Sequence, residues 1–401
     1  MIALNTLLQK KELSLGALLE ITQAINNNMP EDHLYRIYHF ILRGNLSLQK
    51  MALWVNDFGN WYCKTHFGTK NLVATLDFER FLPEAPQNVL PVQESVFAET
   101  FNEFEWVIPV FHKGNSLAFL FASASKNNEL DTDFIRTLTN ILIVAIENKK
   151  LAQKQLEQEV FRKELDIAAR VQQRLCPTNL PQTEKLQISA YYAPHFTVGG
   201  DYYDFIPLGK EKFLFCIADV SGKGIAAAMM MANFQASLRT ITRQTQNLRD
   251  IVAELNYLVL QNAQGENFIT FFVATYDYQS YLLHYINAGH NPPFLMANGH
   301  LQRLEQGTTV LGIFDPLPFV AEAQMILKEE SLIFAYTDGL SEAANAQDEL
   351  FGDERIALLL KKWAYYPLEK LHSEFILALN DFRKETPLQD DITMISCKIL
   401  P

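Results

Sequence analysis

Three apolar runs in this chain are bounded by aspartate: "FLFCIADV" carries Asp219, "SLIFAYTD" ends in Asp338, and "DDITMISC" opens with Asp390 and Asp391. A carboxylate at the tip of a buried strand gives up water and needs protons, hydrogen bonds or a cation in exchange. One such aspartate is ordinarily a turn former or a helix cap. Three together, with a "GGDYYD" that adds Asp201 and Asp204, are harder to treat as unrelated turns. If the strand ends converge, their carboxylates repel one another unless cations intervene. Oxygen-only donors select hard divalent ions, Mg²⁺ or Mn²⁺, and the chain has no His or Cys cluster suited to zinc. Two such ions, about 3.5–4 Å apart, can activate a water and clamp the oxygens of an in-line displacement at phosphorus. The chemistry expected is phosphoester hydrolysis.

The rest of the chain frames this cluster. Its 401 residues carry a formal charge of −12, of which −3 lies in residues 1–150 and −9 in the remainder. An acidic second half without a basic stripe argues against a nucleic-acid groove. The four cysteines have no CxxC spacing, Cys216 in its apolar strand reads as a small core residue, and reduced thiols of a cytoplasmic protein are expected. No signal peptide is expected, and "ILIVAIE" is far too short to span a bilayer.

Apolar spacing of three and four predicts helices over 13–25 and 33–42. Two strand pairs follow, around Asn56-Asp57-Phe58-Gly59 and Lys113-Gly114-Asn115. A helix capped by Asp131 or Thr132 then runs on, because neither Pro nor Gly occurs before Pro177. Within it Phe161, Leu165, Ala168, Gln172 and Leu175 form a short coiled-coil seam with one polar member, and a homodimer is expected. Beyond Pro177, numerous strands and two adjacent helices predict a two-sheet sandwich with helices outside. The expected fold class is α+β, divided into a sensor domain over 1–147, a helical coiled-coil linker over 148–176 and a sandwich domain over 177–401.

The first segment resembles a GAF domain through its Asp57 to Gly59 hairpin, the "PVFHKGNSLAFLF" strand pair and the "AIEN" ending. No residue set names its ligand, so its signal, a small molecule or a protein, is left open. Over about residues 165–400, the ordered set "LDIAARVQQRLCP", "GGDYYDF", "IADVSGKGIAAAMMMA", "NAGHNPP", "YTDGLSEA", Phe351-Gly352 and "DDIT" resembles the SpoIIE-like, RsbU-type serine phosphatases of the PPM superfamily. The resemblance implies an αββα sandwich and a hydrolase with two divalent cations, Mn²⁺ or Mg²⁺, acting on a protein phosphoserine or phosphothreonine. By position, Asp219 would bridge both metals, the Val220 carbonyl would ligate one, Asp201 would hold the first, and Asp338 with Asp390 or Asp391 the second. Asp219, Asp201 and Asp338 would carry catalysis, by direct attack of a metal-activated water. Asp204 reads as a loop hydrogen-bonder or a ligand through water.

The eukaryotic branch of that superfamily has an arginine before the first metal acid and a histidine after the bridging one. This chain has "FTVGGD" and "DVSGKG" instead. Ser221 takes the histidine's place, Lys223 reads as a solvated loop lysine, and the phosphate clamp stays unassigned. His290 in "NAGHNPP" reads as part of a rigid turn rather than as a general acid. The implied substrate is a phosphorylated STAS-type anti-sigma factor antagonist. The alternatives are a catalytically silent scaffold of the same fold that binds the phosphoprotein, and a diguanylate cyclase suggested by "GGDYYDF". The second leaves Asp338 and Asp390 unexplained.

Overall fold

A computed structural model of the chain describes residues 2–46, 48–57, 59–69, 78–112, 114–124, 130–263 and 265–400. Two compact units, Met1–Glu159 and Val160–Pro401, make it up.

In the first unit, α1 (Ile2–Asn26) and α2 (Glu31–Phe40) precede β1 (Leu48–Asp57), β2 (Asn60–Phe67), β3 (Leu90–Pro91), β4 (Trp106–His112) and β5 (Asn115–Ala124). These strands form one antiparallel sheet in the order β2-β1-β5-β4-β3. Strand pleating sorts β1: Met51, Leu53 and Val55 face helical residues such as Tyr38 and Leu138, while Ala52 and Trp54 face a cluster with Phe78, Phe97 and Phe101. Both hairpins turn on glycines with positive φ, Gly59 (+94°) and Gly114 (+84°), a region other residues enter only with strain. Phe58 and Lys113, at the same turns, lie outside the described residues.

Helix α3 (Thr132–Gln173) is continuous over 42 residues, and Asp131 caps it by accepting the Phe134 N–H at 3.0 Å. Its apolar surface differs from the expected seam. Phe161 is exposed, but Gln172 is only 7% exposed and Leu175 packs into the second unit's core. Besides Phe161 and Leu151, the exposed large apolar side chains of this helix are Leu156, Val160, Ile167 and Val171, spaced four, seven and four residues apart. Gln172 leaves the seam because the second unit claims the helix's last turn.

That unit contains β6 (Leu186–Ala193), β7 (Tyr202–Pro207), β8 (Lys212–Val220), α4 (Ile225–Ile241), α5 (Leu248–Ala263), β9 (Ile269–Asp277) and β10 (Leu282–Ala288). It continues through β11 (Phe294–Ala297), β12 (His300–Arg303), β13 (Gly307–Thr308), β14 (Ala323–Ile326) and β15 (Ser331–Tyr336). It closes with α6 (Asp338–Ser341), α7 (Asp353–Trp363), α8 (Leu368–Arg383) and β16 (Ile392–Ile399). One sheet runs β13-β10-β9-β8-β7 with β14 beside β10, and the other runs β12-β11-β15-β16-β6. Phe215, Ile217 and Phe272 meet Ile188, Ile333 and Ile395 between the sheets. On the outer faces, Leu214, Cys216 and Val273 pack on Met231, Phe234 and Leu255 of α4 and α5, and Phe334 and Met394 pack on Leu360, Trp363 and Phe375 of α7 and α8. The expected αββα sandwich is present, and β8 is apolar on both faces because it is buried on both. Among the described residues, no helix is long and apolar enough to cross a membrane.

Candidate active site

Period-two pleating delivers Asp219, Asp201 and Asp391 to one layer. In β8, Phe213, Phe215 and Ile217 enter the core between the sheets, so Asp219 projects into the same layer at the strand's end. Tyr203 and Phe205 do the same for Asp201, which lies just before β7. Ile333 and Ala335 set the parity of Thr337, and Ile395 and Cys397 that of Thr393 and Asp391.

Asp201 is only 3% exposed, and its Oδ2 accepts hydrogen bonds from Thr337 Oγ1 (2.8 Å) and Thr393 Oγ1 (2.5 Å). Its carboxyl is close enough to Asp219 for the two to influence each other's ionisation. Burial, then the Asp219 charge, pushes the Asp201 carboxyl well above the usual range. Burial, then Asp338 and Asp390, raises Asp219 to about 7. Asp338 is raised by burial and by Asp390. Thr337 and Thr393 were not singled out in the sequence. Their positions, one residue before Asp338 and two after Asp391 on apolar strands, were the available signal.

The two adjacent acids part company. Asp391 turns onto the Gly199-Gly200 loop, where its Oδ1 accepts the His195 N–H at 2.7 Å and its Oδ2 the Gly200 N–H at 2.8 Å. Asp390 faces Lys223, whose Nζ stands 2.7 Å from its Oδ2 and also bonds the Gln389 carbonyl. Lys223 is therefore paired rather than free in solvent, because the loop that carries it closes over the start of β16. Gly222 (φ +91°) and Gly224 (φ +75°) make that closure possible. Asp204 is neither in a loop nor at the site. It sits within β7, wholly buried, and accepts Arg239 of α4 through both oxygens at 2.7 and 2.9 Å. The Val220 carbonyl lies 2.8 Å from where a Cβ on Gly200 would fall, so only glycine lets the two loops approach this closely.

His290 is 4% exposed, its Nδ1 lies 2.8 Å from Thr270 Oγ1, and burial lowers its pKa to about 4. It is neutral at physiological pH and has no proton to give as an imidazolium.

The donor set fits divalent cations. Two carboxyls as close as Asp201 and Asp219, both withdrawn from water, cannot both ionise without positive charge beside them. Among the described residues, Lys223 is the basic side chain that reaches this group of acids; its ion pair is with Asp390, and its charge also acts on Asp338. No three of the acids stand at ligand spacing as arranged, again among the described residues. Lys223 holds Asp390 aside, and the loop before Asp201 occupies Asp391.

A four-layer sandwich with oxygen donors gathered at its strand ends defines the PP2C-type phosphatases, a class that works with divalent metals. The family model for stage II sporulation protein E (SpoIIE) matches residues 209–400. Phosphoserine phosphatase RsbU of Bacillus subtilis is 31% identical over 242 residues, spanning 59% of this chain and 70% of RsbU. Protein IcfG of Synechocystis is 31% identical over 236 residues, 52% of this chain and 37% of IcfG. The solved SiaA-PP2C domain of Pseudomonas aeruginosa superposes with a TM-score of 0.53 at 22% identity, over 60% of this chain and 97% of that domain, and so shares the fold. The chain belongs to the SpoIIE/RsbU family of PP2C-type phosphatases.

Proposed function

We propose that this chain is a metal-dependent protein phosphatase that hydrolyses phosphoserine or phosphothreonine. The observation that carries the reading is the pair of buried carboxyls Asp201 and Asp219, both raised above the ordinary carboxylate range, with Asp338 and Asp390 beside them. Asp219 would bridge two divalent ions with the Val220 carbonyl on one of them, Asp201 would hold the first, and Asp338 and Asp390 the second. Bound there, such ions supply a water of lowered pKa and positive charge at phosphorus.

The chain's own groups do the rest. Thr337 and Thr393 fix the Asp201 rotamer through its Oδ2, and Asp391 fixes the loop that carries it. Lys223, once Asp390 turns to a cation, offers its ammonium to the incoming phosphate. His290, neutral and buried, leaves protonation of the departing serine oxygen to water.

The substrate proposed is a phosphorylated STAS-type anti-sigma factor antagonist in the cytoplasm. Residues 1–147 would act as a GAF-like sensor, 148–176 as the linker and 177–401 as the phosphatase. The exposed stripe of Leu156, Val160, Ile167 and Val171 would pair two copies.

The test is phosphate release from a generic phosphoester with and without Mn²⁺. Metal-dependent release is expected in the wild type, with a loss of about 100-fold or more in Asp219→Asn and Asp338→Asn. Folded protein that binds a phosphorylated partner yet releases nothing with any divalent ion would replace the enzyme with a scaffold.

A further inference from the structure

We propose that Gln172 is a positioning residue for the Gly199–Asp201 loop, through which the last turn of α3 sets the affinity of the Asp201 site for its metal. The proposal rests on the phosphatase reading above. Gln172 is 7% exposed, and its side-chain amide pairs with both polar groups of one residue: Nε2 donates to the Gly199 carbonyl at 2.5 Å, and Oε1 accepts the Gly199 N–H at 3.2 Å. This is a strand-like pairing made by a side chain, and it holds the Gly199 peptide groups in a single register.

The opposite side of the loop is closed. A Cβ at Gly199 would fall 2.0 Å from Asp391 Oδ2 and 2.5 Å from Tyr192 Oη, and one at Gly200 would fall 2.8 Å from the Val220 carbonyl. Main chain confined in this way at both Gly199 and Gly200 transmits a displacement of the amide to Asp201, two residues on, instead of absorbing it. Gln172 itself cannot shift without leaving two buried hydrogen bonds unmade. It belongs to a 42-residue helix uninterrupted by Pro or Gly, so rotation of that helix about its axis moves the amide directly.

The experiment uses the full chain as wild type, Gln172→Met, Gln172→Ala and Gln173→Ala. Gln172→Met preserves side-chain length while removing both hydrogen bonds, and Gln173 is the exposed neighbour on the same turn. Free Mn²⁺ is counted by electron paramagnetic resonance during titration, alongside phosphate release against metal concentration and thermal melting. Gln172→Met is expected to weaken Mn²⁺ binding roughly tenfold, as removal of an outer-shell partner does. At saturating metal its kcat should stay within about twofold of wild type, since the residue touches no reacting atom. Gln173→Ala should match wild type.

Wild-type affinity in a folded Gln172→Met, or equal weakening in Gln173→Ala, overturns the proposal while leaving the phosphatase reading intact. Mn²⁺ binding that depends on Gln172 in a wild type releasing no phosphate keeps the positioning role and rejects the catalytic reading. A wild type that binds no Mn²⁺ rejects both.

Discussion

At Asp219, burial and the charges of Asp338 and Asp390 act in the same direction and outweigh the hydrogen bond with Asp201. The carboxyl is raised from 3.8 to about 7, so between these values the folded state holds a proton that the unfolded state has lost. Stability from this group is therefore full below the ordinary carboxylate range and disappears as the pH rises through about 7. Above that, the metal-free protein carries a buried charge that it would fold better without. Asp219→Asn is expected to melt higher than wild type in EDTA at about pH 8, by an amount on the order of 2 kcal/mol after relaxation, and to lose that advantage near pH 5. Adding Mn²⁺ should then stabilise the wild type and leave the variant unmoved. Scanning calorimetry that found the variant no more stable in EDTA would show that the acids do not crowd one another. His290 titrates in the opposite sense: burial depresses it, and it remains neutral where Asp219 changes state.

Between elements, the ties that position the site are few and buried. Asp204 in β7 and Arg239 in α4 join the first strand after the Gly-Gly-Asp loop to the helix after the Ser-Gly-Lys-Gly loop. The carboxylate side of this pair is wholly buried, whereas the arginine is 46% exposed. Removing the arginine would leave a charge in the core with only the Tyr202 hydroxyl and the Phe205 N–H for company. Arg239→Ala is expected to cost about 3 kcal/mol or more, read as a lowered urea midpoint at unchanged m-value. Arg239→Ala combined with Asp204→Asn should recover part of the loss, since no buried charge is then stranded. If the single variant unfolds like wild type, the pair is not what holds α4 to its sheet.

For the whole molecule, the place where the chain is cut decides what is lost. A chain beginning at Val160 keeps every contact that α3 makes with the loop before Asp201, whereas one beginning at Pro177 lacks Gln172. The longer piece is expected to retain metal-dependent phosphate release, and the shorter to need roughly tenfold more Mn²⁺ for half-maximal rate. Regulation by the first unit predicts a further difference between the Val160 piece and the full chain. Identical rates and metal dependence in these two would remove the sensor role. The sequence by itself determined the local features: apolar alternation in β8, β15 and β16, the aspartates that bound them, the glycine turns, and the uninterrupted length of α3. Each of these depends on residues within a few positions of one another, where strand and helix periods are written directly. Only the tertiary structure decided the partners. Asp204 meets Arg239 35 positions on, Gln172 meets Gly199 27 positions on, and Lys223 meets Gln389 across 166. The alternation of Asp390 and Asp391 was readable, but not which of them faced inward, because that depends on how two sheets pack and no local pattern encodes it. Gln172 is a case of the same kind: its spacing fits the face of a coiled-coil seam, and only packing shows that this face touches Gly199.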